Sequence, residues 1–392
     1  MKERWEYKKI KDIGSVVAGT TPNTNVAEYW DGSLCWISPA ELDGNHYLYD
    51  SRKKITESAV KAKNLKLLPE GTVILSSRAP IGKVVINKVP TYCNQGFKCV
   101  VCGKEIYNEF LYWWFWGKTE YLNSLGIGAT FKEISKKVVE DILIPVPPLS
   151  EQQSIVDYLD SAFAKIDAMK GNAEKALGEA KALFQASLKE MLEPKEGWEE
   201  KILQDICSDI VDCPHTTPQK VGFPTQYPCI RTSELKGGSI DWSTMQYLDE
   251  DEYKKRVSRL VPKPNDLVYG REGTYGDAVL LPDGYSFSLG QRTMLLRPNE
   301  IYIIPRFLLY SMISPHVYQQ AKAKNSGCGV GHVNVKDIKV FRIGLPTIDI
   351  QQSIVDTLDS LKSKVDRLKA NYDKISQECD ALKQAILRQV FE

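Results

Sequence analysis

QQSIVDYLDS, residues 152–161, returns as QQSIVDTLDS, residues 351–360, identical at nine of ten positions and displaced by 199. A fixed-period repeat has to be read before any local element, because it decides the architecture. Outward from this stretch the copy continues. Leu183, Gln185, Ala186, Leu188 and Glu193 return as Leu382, Gln384, Ala385, Leu387 and Glu392 at the same displacement. Upstream, Trp5-Glu6 and Asp12-Ile13 return as Trp198-Glu199 and Asp205-Ile206, displaced by 193. Each copy opens on Trp-Glu, closes on the same tail, and differs by six net residues in between. The chain is one unit written twice.

From the repeated stretch onward the periodicity is helical. In copy one, Ile155, Leu159, Ala162, Ile166, Met169, Ala173, Ala176, Ala180, Leu183 and Ser187 alternate spacings of four and three. The same positions in copy two are Ile354, Leu358, Leu361, Val365, Leu368, Tyr372, Ile375, Cys379, Leu382 and Ile386. Such an alternation, with polar residues between, predicts a coiled-coil seam. Ser150 with Gln153, and Asp349 with Gln352, have the spacing of N-terminal capping boxes. Pro147-Pro148 and Pro346 stop what precedes each helix, and Pro194 stops the first one. At 1.5 Å per residue each helix is a rod of about 60 Å.

The remaining residues have a different texture. Strand-like runs occur at 72–76, 83–87 and 97–101, and again at 266–269, 278–281 and 294–297, punctuated by Gly and Pro. Helices are expected near 108–121 and 305–322. The expected organisation is a globule at 1–149, a helix at 150–193, a globule at 194–348 and a helix at 349–392. Domain ends often lie close together, so the second helix starts beside the end of the first and returns antiparallel to it. The fold class read from the sequence is α+β. Two mixed α/β domains are separated by an antiparallel two-helix coiled coil, with a pseudo-two-fold internal repeat.

Composition sets the broad class. With 43% apolar and 26% charged residues, the 392-residue chain is of globular type. No apolar run reaches the 18 or so residues of a membrane span, and the N-terminus lacks a signal-peptide core, so a cytoplasmic setting with nine reduced cysteines is expected. Cys99 and Cys102 have metal-like spacing, but they sit in GFKCVVCG, which reads as a buried strand. A net charge of +1 means that any nucleic-acid contact is local or shared with another subunit.

No catalytic constellation assembles. The phosphate-loop pattern is missing, and the glycine clusters at 126–128 and 327–331 follow expected helices rather than strands. The four histidines, at 46, 215, 316 and 332, are scattered. The residues point to binding rather than catalysis.

The repeated P-P-L-x-E-Q-x-x-I-V element (147–156, degenerate at 346–355) is then diagnostic. With two globules each followed by a long helix, it resembles the specificity subunit of type I restriction–modification systems, over the whole chain. Gly19-Thr-Thr-Pro22-Asn, Trp36-Ile-Ser-Pro-Ala-Glu-Leu42, Ser77-Arg78-Ala-Pro-Ile-Gly82-Lys and Asn94-Gln95-Gly-Phe97 are similar to that family's target-recognition domains. So are Pro214-His-Thr-Thr-Pro218, Gly270-Arg-Glu-Gly-Thr-Tyr-Gly276 and Leu289-Gly-Gln291-Arg292. The resemblance implies a non-catalytic reader of double-stranded DNA. Each domain would read half of a split, asymmetric site, and the helices would set the gap. It also implies two methyltransferase subunits carrying S-adenosylmethionine, a motor–nuclease restriction subunit using ATP and Mg2+, and no cofactor in this chain. The rival is an interaction scaffold whose two heads bind protein or glycan. Neighbouring genes for a methyltransferase and a helicase–nuclease discriminate between them.

Base edges are read by side chains, Arg pairing with guanine and Asn or Gln with adenine. Arg78 and Lys83 lie in one turn, and Arg271 at displacement 193 lies in another with Thr274. The loop with Asn94 and Gln95 is paired with that of Gln291 and Arg292, and the loop with Thr20, Thr21 and Asn23 with that of His215, Thr216 and Thr217. Thr130 and Lys132, with His332 and Asn334, precede the long helices and are candidates for backbone contact. For Arg78 and Arg271, base contact, phosphate contact and a structural role all remain open; Glu272 is a ready partner for Arg271. Lys53-Lys54 and Lys254-Lys255-Arg256 are further phosphate candidates beside the simpler account of a solvated face. The aromatic run at 110–116, with 307–310 as counterpart, is assigned to the core.

Overall fold

The computed structural model describes residues 5–42, 44–78, 80–128, 132–273, 275–324 and 331–392. Thr130 and Thr274 lie outside the described residues. The fold is mixed α and β, and the chain divides into two units: Met1–Asn172 with Asp373–Glu392, and Ala173–Tyr372. Among the described residues, no helix is long and apolar enough to cross a membrane.

In the first unit, Gly14–Ala18, Phe97–Cys102, Val73–Ser76, Val84–Asn87 and Tyr47–Leu48 form a five-stranded sheet in that order. Its first four strands are antiparallel neighbours and Tyr47–Leu48 joins in parallel. Lys53–Ile55, Trp30–Ile37 and Tyr92–Cys93 form a three-stranded sheet. The second unit repeats the plan with a four-stranded sheet of Cys207–Asp212, Thr293–Pro298, Leu267–Gly270 and Ala278–Leu280. Its three-stranded sheet is Gln246–Tyr247, Pro228–Ile230 and Ser288–Leu289. The six strand-like runs named in the sequence each coincide with a strand to within a residue, and the other strands, such as Gly14–Ala18 and Cys207–Asp212, match no run named there. Both expected helices are broken: Asn108–Gly117 stops at Lys118 before Thr119–Ser124, and Pro305–Met312 stops before Pro315–Ala323. Pro315 ends the continuity in the second case, since it cannot donate to the preceding turn.

A two-stranded ribbon closes each globule. Glu6–Lys9 pairs with Leu143–Val146, and Glu199–Ile202 with Arg342–Leu345. The ends of each globule are therefore hydrogen-bonded side by side, which is what an antiparallel return of the second helix needs.

The long helices run Leu149–Leu192 and Ile348–Phe391. They are antiparallel: in the first unit Lys170 pairs with Asp380 at 3.4 Å and Lys383 with Asp167 at 2.5 Å. There the apolar seam joins Val156, Leu159, Phe163 and Ile166 to Cys379, Leu387 and Phe391. In the second unit Leu177, Phe184, Leu188 and Leu192 pack with Ile354, Val355, Leu358 and Val365. The seam of the first helix therefore corrects the sequence reading in one of its two columns. Leu159 and Ile166 hold, but the other column runs Val156, Phe163, Leu177, Phe184, one residue beyond Ile155, Ala162, Ala176 and Leu183. Met169 and Leu183 face solvent, as does Leu382 on the second helix. A four-three alternation can be drawn through either column, and burial goes to the bulkier one. Lys383 takes the place expected for Leu382, its ammonium over the Phe163 ring at 5.2 Å.

The repeated decapeptide docks each helix onto its own globule. Gln152 is fully buried; its Oε1 accepts from Tyr107 N–H at 2.8 Å, and its Nε2 donates to Glu105 O at 2.9 Å and Pro147 O at 2.8 Å. Gln351 repeats this with Ile304 N–H at 2.9 Å, Tyr302 O at 2.9 Å and Pro346 O at 3.0 Å. Asp160 accepts from Trp113 Nε1 at 3.0 Å, while Asp359 accepts from Arg306 Nε at 2.8 Å and from the Tyr310 hydroxyl. The capping boxes do not form. Each helix begins one residue before the expected cap, and Gln153 and Gln352 instead bond Asp157 and Asp356, both at 2.8 Å. The aromatic run is core, from Phe110 to Phe115, as are Phe307–Tyr310. Cys99 is buried in its strand with its sulfur 3.5 Å from that of Cys93.

Candidate functional site

In the first unit the strand Gly14–Ala18 ends at a close approach of two loops. Thr20 N–H donates to Cys93 O at 2.8 Å, and a Cβ on Gly19 would sit 1.8 Å from the Asn94 carbonyl oxygen. Only glycine allows that separation. The approach lets the Thr21 hydroxyl donate to Gln95 Oε1. Asn94 shapes its own loop by accepting from Gly96 N–H at 2.8 Å, and exposed Asn23 accepts from Asn25 N–H at 3.0 Å. Beneath these loops lies Lys98, 5% exposed. Its ammonium donates to Ser77 Oγ at 3.0 Å and Gln95 O at 3.4 Å and pairs with Glu133 Oε1 at 3.2 Å. The other Glu133 oxygen receives Arg78 Nε at 2.9 Å. Burial pushes the Glu133 carboxyl up, but hydrogen bonds from Arg78 and Lys98 outweigh it and hold the group below its usual range. Lys83 stands apart, donating to Leu42 O at 2.9 Å, and Lys132 is exposed.

The second unit gathers its candidates more tightly. Gln291 Nε2 donates to His215 O and Thr217 Oγ1, each at 3.3 Å, repeating the Thr–Gln pair of the first unit. His215 Nε2 lies 3.2 Å from Asp212 Oδ2. Arg271 is 4% exposed; its guanidinium reaches Asp212 Oδ1 at 2.9 Å and Glu272 Oε1 at 3.0 Å. Glu272 also faces Arg292 Nε at 3.5 Å and His332 Nδ1 at 3.1 Å, and His332 Nε2 lies 3.3 Å from Asn334 Oδ1. Arg256 is buried rather than a phosphate contact. It donates to Leu289 O at 2.8 Å and Thr216 O at 3.2 Å, tying the 214–217 loop to the 289–291 loop. Lys254 is held by Glu250 at 2.7 Å, and Lys54 by Asp50.

Matching backbone bonds align the two clusters. Ile134 N–H donates to Ser77 O at 2.9 Å, as Val333 N–H does to Arg271 O at 2.9 Å. Ser77 N–H donates to Gly96 O at 2.8 Å, as Arg271 N–H does to Arg292 O at 3.0 Å. Isolated bridges join Arg78 to Glu133 and Glu272 to His332. Arg271 is thus the counterpart of Ser77, and Glu272 that of Arg78. Pairing Arg78 with Arg271 at displacement 193 is one residue out, because the displacement has already grown to 194 at this loop.

Lys98, Glu133 and Asp212 carry no role in the sequence reading. One signal was present: Lys98 is a lone charge in the apolar run FKCVVC, and a charge in a buried strand needs a partner. Among the described residues, no group of His, Cys, Asp and Glu is placed to hold a metal ion.

The sequence profile described as "Type I restriction modification DNA specificity domain" matches residues 2–177 and again 195–377. The type I restriction enzyme MjaIX specificity subunit of Methanocaldococcus jannaschii is 45% identical over 159 residues, covering 40% of this chain and 37% of that protein. The EcoR124I/EcoR124II specificity subunit of Escherichia coli is 31% identical over 179 residues, covering 44% and 43%. These two alignments span less than half the length of either relative. Among solved structures, a chain from a study of complex assembly and conformational transition in the type I R-M system superposes with a TM-score of 0.75 at 20% identity, covering 99% of this chain and 97% of that one.

Proposed function

The chain belongs to the type I restriction–modification DNA specificity family, and from that premise we propose that it is the sequence-reading, non-catalytic subunit of such a complex. The observation that carries this is the pair of loop clusters. Both are built on the same backbone bonds and the same Thr–Gln contact, yet they present different side chains, as two readers of unlike half-sites would. The proposed readers and backbone contacts are Thr20, Thr21, Asn23, Arg78, Lys83, Asn94, Gln95 and Lys132 in one unit. In the other they are His215, Thr216, Thr217, Gln291, Arg292, His332 and Asn334. Thr130 and Thr274 belong to the same segments. Arg271 acts from beneath the surface.

In functional terms the chain divides into recognition domains at 1–149 and 194–348 and spacer helices at 150–193 and 349–392. The helices set the spacer between half-sites and dock two methyltransferase subunits, which carry S-adenosylmethionine. A restriction subunit supplies ATP- and Mg2+-dependent translocation and cleavage. Shared phosphate contact with the methyltransferases accommodates a net charge of only +1. The complex works in the cytoplasm, on double-stranded DNA.

Inserting one matched heptad into both long helices, about 10 Å of added rise, tests the reading. Methylome sequencing of a host carrying the altered subunit with its partners is expected to show the same half-sites with a longer spacer. An unchanged spacer, or altered half-sites, contradicts it.

A further inference from the structure

We infer that Arg78 and Arg292 are the specificity-determining arginines of the two recognition domains, each aimed at a guanine by a carboxylate that a buried cation holds in place. Lys98 and Arg271 are the corresponding positioning residues. The inference rests on the reading of the chain as a DNA-recognition subunit and deepens it.

Two three-membered relays carry it. In the first unit Lys98 Nζ meets Glu133 Oε1 at 3.2 Å, and Glu133 Oε2 meets Arg78 Nε at 2.9 Å. In the second, Arg271 Nη1 meets Glu272 Oε1 at 3.0 Å, and Glu272 Oε2 meets Arg292 Nε at 3.5 Å. In both, one carboxylate oxygen faces a buried cation and the other faces the Nε of an arginine whose side chain is about half exposed, closely at Arg78 and as a looser ion pair at Arg292.

The relays are not copies of one another. Arg78 occupies the position of Glu272, Glu133 that of His332, and Arg292 that of Gly96. Gly82 N–H bonds Ser76 O as Gly276 N–H bonds Gly270 O, and Ser76 pairs with Phe97 as Gly270 does with Thr293, so Lys98 stands where the second unit has Met294. Every member has moved, yet the order of buried cation, carboxylate and exposed arginine persists. Packing alone gives no reason to rebuild the same order from different positions.

Holding a guanidinium through Nε leaves its two terminal nitrogens to the outside. Among the described residues, no hydrogen bond engages those of Arg78 or Arg292. In-plane paired donors match O6 and N7 of guanine in the major groove. The backbone agrees at Arg292, whose φ is +70°. The other described non-glycine residues with positive φ are Asp31, Asn64 and Asn265, types that tolerate that region. Strain of this kind concentrates at functional sites.

The test is methylome sequencing with the full-length chain and its methyltransferase partners. The unsubstituted chain must first yield a bipartite motif; if it yields none, the DNA-recognition reading itself falls. Given a motif, Arg78→Ala should relax one G·C pair in one half-site, by roughly tenfold to a hundredfold in preference. Lys98→Met should relax that same pair. Arg292→Ala and Arg271→Met should do the same at a single pair of the other half-site. Should either buried-cation variant not accumulate as folded protein, Glu133→Gln and Glu272→Gln carry the same expectation. A uniform loss across all positions of a half-site marks a phosphate or purely structural role and overturns the inference. So does relaxation at different pairs within one relay.

Discussion

Gln152→Leu is expected to lower the thermal transition of the first unit by roughly 10 °C, and Gln351→Leu that of the second by a similar amount. Leucine has nearly the volume of glutamine and the site is fully buried, so a packing defect is not the main cost. The cost is polar. Losing the Gln152 amide strips partners from Tyr107 N–H, Glu105 O and Pro147 O, three backbone groups of the helix–globule junction. A buried polar group left unpaired costs about 1–3 kcal/mol, so the sum is about 3–6 kcal/mol once water reaches part of the site. One kcal/mol moves the midpoint of a domain this size by about 2–4 °C. Calorimetry of the full-length variants checks it; a shift below about 2 °C would mean that the repeated glutamines do not fasten the helices. Gln153→Leu is the contrast, since its exposed side chain bonds the Asp157 carboxylate and the Tyr107 side chain rather than buried backbone, and it should change little.

Gly19→Ala is expected to reduce methylation at sites of the first recognition domain by roughly a hundredfold. An added Cβ would lie 1.8 Å from Asn94 O and 2.7 Å from Cys93 O, both backbone atoms that cannot swing aside. The 19–23 and 94–96 loops must separate, which breaks the Thr20–Cys93 bond and the Thr21–Gln95 contact together. Overpacking of this kind costs about 1–3 kcal/mol, within what a folded domain tolerates, so the larger loss is in recognition. Displacement of positioned groups by about 1 Å can cost about a hundredfold in rate. Methylation assays on the intact complex measure it. Rates within threefold of the unsubstituted complex would show that these loops do not read DNA.

Much of the fold was legible because periodicity and repetition survive in a single sequence. The long helices, their antiparallel pairing and three strands in the largest sheet of each unit follow from spacing, Gly and Pro. The seam slipped in one column because Ala162 and Ala176 complete a regular alternation while Phe163, Leu177 and Phe184 complete another one residue on. Only neighbouring surfaces decide between the two. The repeated glutamines Gln152 and Gln351 carry no role in the sequence reading, because their hydrogen bonds run to globule backbone 45 and 47 residues away in sequence, which no local pattern records. At the site, the sequence paired these loops between the two copies, and the structure adds that they meet within each copy: Thr21 finds Gln95, and Thr217 finds Gln291. Arg78 and Arg271 were paired because identical residues attract an alignment. The backbone shows instead that Glu272 is the counterpart of Arg78. Lys98, the cation beneath the first cluster, stayed hidden because its partner Glu133 is distant along the chain, and Arg271 was named without its partner Asp212 for the same reason.

Methylome sequencing of a host carrying this subunit with its partner genes, against a matched deletion of the subunit alone, tests the central claim most directly. The expected result is a single asymmetric motif of two specified half-sites around a fixed unspecified spacer. N6-methyladenine should occur in each half, and all of it should be lost in the deletion. Unchanged methylation in the deletion strain, or a contiguous motif without a spacer, would contradict it.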